Sequence, residues 1–216
     1  MTTRQAAKDG TRRSILEAAA AEFARHGYEA TTFSGIAAAM GRPKSAVGYH
    51  QFKSKFELAS AIVAEQRATW EDLAQDAVTS RGPGLAALFL FFDHVRLNFA
   101  ADPIAPGAAR LVLEDAELGL DLPRTNHSWR RFTTEQIAAE AATGALPADT
   151  DAVELAAAIL SAGIGVFRSA RSGVAVASPD RVLRTLWRDT LVGAGLTLDQ
   201  ADAVLPGPPV DDHASR

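Results

Sequence analysis

The chain has 216 residues, 47% of them apolar, and 26 acidic against 22 basic side chains give a net charge of −4. That length allows one medium domain or two small ones, and that apolar fraction allows a real core. The absence of cysteine excludes disulfides, thiol catalysis and Cys-ligated zinc or iron–sulfur sites.

Alanine is abundant and no stretch alternates over a strand length, so the chain reads as all-α. A first helix is expected over residues 11–26, with Ile15, Ala18, Ala19 and Phe23 on one face and Gly27 as its stop. Thr32 is placed as the N-cap of a second helix that turns Ile36, Ala37 and Met40 inward before Gly41 redirects the chain. Pro43 opens a short third helix over residues 44–50. Ser54-Lys55-Phe56-Glu57 fits the S-x-x-E capping box and starts a long fourth helix to about residue 77, which Arg81-Gly82-Pro83-Gly84 breaks. Further helices are expected over about residues 85–100, 102–117, 127–143, 150–172 and 178–193. The segment 197–216, ending in LPGPPVDDHASR, reads as a disordered tail rich in proline and polar groups. This divides the chain into a three-helix head at 1–56, a helical bundle at 57–196 and the tail. The N-terminus is polar and no run approaches the roughly 20 apolar residues that cross a bilayer, so a cytoplasmic protein is expected.

Charge and motif agree on the head. Residues 1–56 hold nine basic and four acidic side chains, a balance of +5, and the remainder holds 13 and 22, a balance of −9. A basic head on an acidic body suits a polyanion bound by the head alone. Residues 32–57, TFSGIAAAMGRPKSAVGYHQFKSKFE, have the layout of a helix-turn-helix that grips DNA. Lys44 and Ser45 stand at the end of the third helix that enters the major groove, where base edges are read, with Arg42 beside them. Tyr49 is either core filler or a hydrogen-bond donor to a phosphate, and its polar neighbours favour the latter; His50 is either solvated or a backbone contact. Lys53 is a general electrostatic contact. Lys55 is a cation in the first turn of a helix, where an anion is preferred, and a docked phosphate would explain that conflict. Phe52 and Phe56 are expected in the core, pinning the third helix to the fourth.

The pieces ILEAAAAEFARHGYEATTFSGIA, Gly41 and YHQFKSKFEL within residues 11–58 resemble the head of TetR-type transcriptional repressors. The resemblance implies that Tyr49 and Lys55 contact phosphates, that Thr32 caps the second helix, and that the body binds a small effector and forms a homodimer. Two features depart from the family pattern: Gly48 replaces a bulky apolar residue, and the stretch from Gly41 to Phe52 is about one residue longer.

For the body, the residues offer pocket material in Phe89, Phe92, Leu111, Trp129 and Phe132. Most of these read as ordinary core; Trp129, between His127-Ser128 and Arg130-Arg131, is best placed to orient a ligand. Leu155, Ile159, Ala162 and Val166, with Leu183 and Trp187, give apolar stripes expected at a dimer face. The pattern DPIAPGAARLVLEDAELG, then Trp129, EAATGAL and AGIGVFRSA, is similar to the γ-butyrolactone autoregulator receptors. That likeness implies that Trp129 lines a pocket for a γ-butyrolactone, a butenolide or a similar signal. Glu114, Asp115 and Glu117 read as a solvated helix end, and His94 and His127 lack ligand partners at metal spacing. Without G-x-S-x-G, P-loop or H-E-x-x-H, no catalysis, metal or cofactor is expected. The sequence points to a homodimeric repressor of a pseudo-palindromic operator, released by a small, mostly apolar signal. The alternatives are a pseudo-receptor that ignores effectors and a nonspecific nucleoid protein.

Overall fold

The computed structural model describes residues 3–43, 51–122, 125–171 and 178–207. Every regular element among them is a helix: α1 (Thr3–Ala30), α2 (Phe33–Ala39), α3 (Lys55–Arg81), α4 (Leu85–Ala101), α5 (Ala105–Leu118), α6 (Thr125–Ala142), α7 (Ala152–Arg171), α8 (Pro179–Gly193) and α9 (Leu198–Val204). The short helix expected over residues 44–50 lies outside the described residues. Contacts divide the chain into two compact units, Met1–Asp72 with Val95–Asn126, and Leu73–His94 with His127–Arg216. This differs from a simple cut after residue 56, because the start of α3 and all of α5 pack with α1 and α2. The long helices α3 and α4 each supply residues to both units.

In the first unit, Ile15, Leu16, Ala19, Ala20 and Phe23 of α1 are fully buried with Ile36 and Ala37 of α2, Leu58, Ala59, Ile62 and Val63 of α3, and Ile104, Ala108 and Leu111 near or on α5. Each large side chain so buried contributes about 1.5–3 kcal/mol. α5 approaches α1 at a glycine: a Cβ on Gly107 would lie 2.3 Å from the Ala20 carbonyl oxygen. Gly27 interrupts α1 with φ 79° and ψ 179°, a conformation costly for any residue with a Cβ. A further turn then runs to Ala30, so the expected stop is a break inside a longer element. α5 satisfies the groups this break leaves open. The Tyr28 amide donates to Glu114 Oε2 (2.7 Å), Arg110 Nη1 donates to the Ala24 carbonyl (3.0 Å), and Arg110 Nε binds Glu114 Oε1 (2.6 Å).

In the second unit, α4 is capped from outside. Gly84, at φ 142°, gives its amide to Gln136 Oε1 (3.0 Å), and Leu85 gives its amide to Glu140 Oε2 (2.8 Å), both acceptors lying on α6. The Trp187 indole of α8 donates to the Ile159 carbonyl of α7 at 3.0 Å. The segment expected as a tail from residue 197 is corrected in its first part. Thr197 and Gln200 form a capping box for α9, Arg184 binds Asp202 (2.7 Å) and the Pro206 carbonyl, and Leu205 is buried. The Pro-rich composition begins only after this short helix, and residues 208–216 lie outside the described residues.

One composition reading also changes. α7 is long and apolar enough to cross a membrane by length and composition, with 19 residues at mean hydropathy 1.5 over Ala152–Ala170. Glu154 and Ser161 interrupt the run but leave its average high.

Candidate functional site

The described head residues separate by what already holds them. Thr32 accepts the Gly35 amide at 3.1 Å and caps α2 as expected, with its side chain at the surface. Arg42 and Lys53 are exposed, and neither has an ion-pair partner among the described residues. Lys44, Ser45, Tyr49 and His50 lie outside the described residues, as does Gly48.

Lys55 resolves its helix-end conflict inside the chain. Its Nζ donates to the Tyr28 carbonyl (2.7 Å) and the Glu29 carbonyl (3.0 Å), and sits 4.4 Å from the centre of the Tyr28 ring. The ammonium thus lies against the carbonyl end of α1, where a cation is favourable. Burial raises the pKa of the Tyr28 phenol above its ordinary value near 10.0, so the ring stays neutral beneath that cation. The capping box also differs in detail. Ser54 Oγ accepts the Glu57 amide (3.0 Å), but Glu57 Oε2 takes the amide of Lys53 (2.7 Å). Phe52 is 2% exposed, as a core pin should be, whereas Phe56 is 41% exposed and is corrected to a surface residue. In the first turn of α3 only Leu58 is buried, and Phe56, two positions earlier, lies on the opposite side of the helix from it.

In the second unit, four of the five expected pocket residues come together. Phe89 and Phe92 of α4 join Trp129 and Phe132 of α6 through Phe91, whose ring lies 5.5 Å from Trp129, 5.0 Å from Phe132 and 5.6 Å from Phe92. Trp187 completes the group, stacked on Phe92 at 5.1 Å and 20°. Leu111 is corrected: it is buried in the core of the other unit, beside Ile15 and Phe23. Phe91 was missed, although the run Phe89-Leu90-Phe91-Phe92 already places rings around more than one side of α4. Thr133 and Gln136 are buried on the α6 face that carries Trp129, and the Thr133 hydroxyl has no hydrogen-bond partner among the described residues.

The expected dimer stripe is corrected in part. Leu155, Ile159, Val166 and Trp187 are buried within the chain's own packing, and Ala162 and Leu183 are half-buried. The apolar side chains left at the surface are Ile164 at 40% exposure on α7 and Leu186 at 41% on α8, with Val153, Ala157, Ala158 and Val182. Glu154, Ser161 and Arg168 line one exposed side of α7, and the buried Leu155, Ile159 and Val166 lie on the other.

Residues 15–62 match the family model described as bacterial regulatory proteins, tetR family. Among curated proteins none matches the chain. Among solved structures, a gamma-butyrolactone receptor (ArpA-like protein) is 27% identical at a TM-score of 0.72, covering 91% of this chain and 94% of that one. The TetR family protein CprB from Streptomyces coelicolor A3(2) is 27% identical at 0.74, covering 91% and 96%. CprB in complex with its biological operator sequence gives 27% and 0.74, covering 93% and 98%. The chain therefore carries the N-terminal domain of the tetR family of bacterial regulatory proteins, and its fold is that of TetR-type regulators, gamma-butyrolactone receptors among them.

Proposed function

We propose that this protein is a transcriptional repressor that binds a pseudo-palindromic operator as a homodimer and is released by a small, mostly apolar effector. The observation that carries the reading is a tetR-family head at residues 15–62 on a body matched nearly end to end by CprB, a protein solved on its operator. Residues 1–56 act as the reading head, with Arg42, Lys44, Ser45, Tyr49, His50 and Lys53 toward DNA, and Lys55, held on the Tyr28 and Glu29 carbonyls, offering its remaining N–H to a phosphate. Thr32 holds the second helix in place. Two heads are needed because half-sites lie about one helical turn apart or a multiple of it. The exposed apolar side chains Ile164 and Leu186 support a second copy as the occupant of the α7–α8 face. The reading places the protein with DNA in the cytoplasm, with no catalytic role.

The aromatic group of Phe89, Phe91, Phe92, Trp129 and Phe132 is the effector site in this reading, and a lactone of the gamma-butyrolactone class fits its chemistry. The rings supply apolar surface, and the Thr133 hydroxyl supplies one hydrogen bond for a polar group. Effector among these rings shifts the packing of α4. Because α3 and α4 are continuous helices shared by both units, that shift reaches the head. Both ligands then bias one equilibrium, so DNA weakens effector affinity by the factor by which effector weakens DNA affinity.

The test is titration of a preformed protein–DNA complex with a gamma-butyrolactone, comparing the native chain with Trp129→Ala. Release of the native complex and loss of release in a folded, dimeric Trp129→Ala variant are expected. Normal release in that variant removes the effector assignment. No response of the native chain favours a DNA-binding regulator that ignores such ligands.

A further inference from the structure

Two adjacent arginines on α1 have opposite surroundings. Arg13 is tied into its own unit: Nε binds Glu17 (2.8 Å), Nη1 binds Glu65, and Nη2 binds Asp102 (3.1 Å). The Glu17 hydrogen bond, with the charges of Asp102 and Glu65, raises its pKa further, so this guanidinium is a fixed structural cation. Arg12 is exposed and has no carboxylate partner among the described residues. Its guanidinium carbon lies 5.0 Å from the centre of the Phe52 ring.

Phe52 is 2% exposed and belongs to the core of the first unit, so its ring is a fixed platform. A guanidinium held against a ring loses much of its freedom, while its N–H groups remain available to an acceptor. An acidic partner would be the usual way to hold an arginine, and it would also neutralise it. Phe52 holds the charge and leaves it available to an anion.

The position matters as much as the chemistry. Phe52 is followed at once by Lys53, an exposed cation. Arg12 therefore stands against the residue that precedes a second exposed cation, Lys53, although it lies about forty residues earlier in the chain.

We propose that Arg12 is a DNA-backbone contact, pre-positioned by stacking on Phe52 to bind a phosphate beside Lys53. The inference rests on DNA binding by this head but not on any effector. A phosphate contact carries no base information, so its loss weakens binding to operator and to scrambled duplex alike. It also lowers the salt dependence, since each neutralised phosphate contributes about 0.9 to the slope of log K against log salt.

The test is fluorescence anisotropy of the full chain on operator and on scrambled duplex between 50 and 200 mM salt. Arg12→Gln, Arg12→Lys and Phe52→Leu are compared with the native chain, each with its melting temperature recorded. In Arg12→Gln the fall in affinity across that salt range should shrink about threefold for each bound protomer, equally on both duplexes. Arg12→Lys should keep the native slope. Phe52→Leu should keep the slope and lower the affinity, because the charge remains but its platform is gone. A native slope in folded Arg12→Gln overturns the proposal and leaves the stack as a packing contact. Because scrambled duplex reports the same slope, absence of operator preference fails the repressor reading without deciding this one. Absence of all DNA binding by the native chain fails both.

Discussion

Gly107 is where α5 meets α1 without a side chain between them, and Gly107→Ala tests whether that approach holds the first unit together. The added Cβ would lie 2.3 Å from the Ala20 carbonyl oxygen, 2.7 Å from its Cα and 2.8 Å from its carbonyl carbon. All three atoms are backbone, so no rotamer change relieves the clash, and the helices must part by about 1 Å. Parting them loosens Phe23, Leu111 and Ala108, all fully buried, and stretches the bonds from Arg110 and Glu114 to the end of α1. Overpacking of this kind costs about 1–3 kcal/mol, and at about 2–4 °C per kcal/mol for a chain of this size the melting temperature should fall by roughly 2–12 °C. The assay is thermal unfolding followed by circular dichroism, with Gly10→Ala as the control. Gly10 also lies in α1, with nothing within 4 Å of an added Cβ, so that change should be neutral or stabilise by up to about 1 kcal/mol. An unchanged or raised melting temperature in Gly107→Ala would refute the close-approach argument.

Two further expectations follow from burial and ionisation. Ile164→Glu places a charge on the exposed side of α7 and should yield a folded monomer with weakened operator binding, whereas Ile159→Glu buries that charge and should unfold the chain. Sedimentation with circular dichroism separates the two, and a native dimer in Ile164→Glu would move the dimer face elsewhere. Tyr28 has its folded pKa raised by burial, so the stabilisation is complete below the ordinary value near 10.0 and is lost as pH rises through the higher folded value. Tyr28→Phe should therefore lose stability less steeply than the native chain between about pH 10 and 12, measured by denaturant midpoint; parallel curves would remove Tyr28 as a contributor.

Much of the head is legible in the residue order because its signals are local. The Thr32 cap, the positive-φ Gly27 and the Ser54–Glu57 start of α3 are each set by neighbours within a few positions. What was not legible depends on partners far along the chain. Lys55 finds its carbonyls 26 and 27 residues away, Arg13 finds Asp102 89 residues away, and Gly107 has a role only once Ala20 is opposite it. Leu111 and Phe92 look alike as apolar helical residues, yet one fills the core of the first unit and the other the aromatic group of the second. On α7, Glu154, Ser161 and Arg168 recur every seven residues and mark the outward side, with the buried Ile159 opposite them and the exposed Ile164 between the two sides, so the period carries part of this distinction. α9 is only seven residues long, and its capping box was obscured by the proline-rich stretch that follows it.

The most direct test of the account is the affinity of the full chain for DNA from its own upstream region, read by anisotropy at fixed moderate salt against a scrambled duplex. A sequence-specific repressor predicts a preference of about 10³ or more for the native segment. Equal affinity for both duplexes, with the same salt slope, would contradict it.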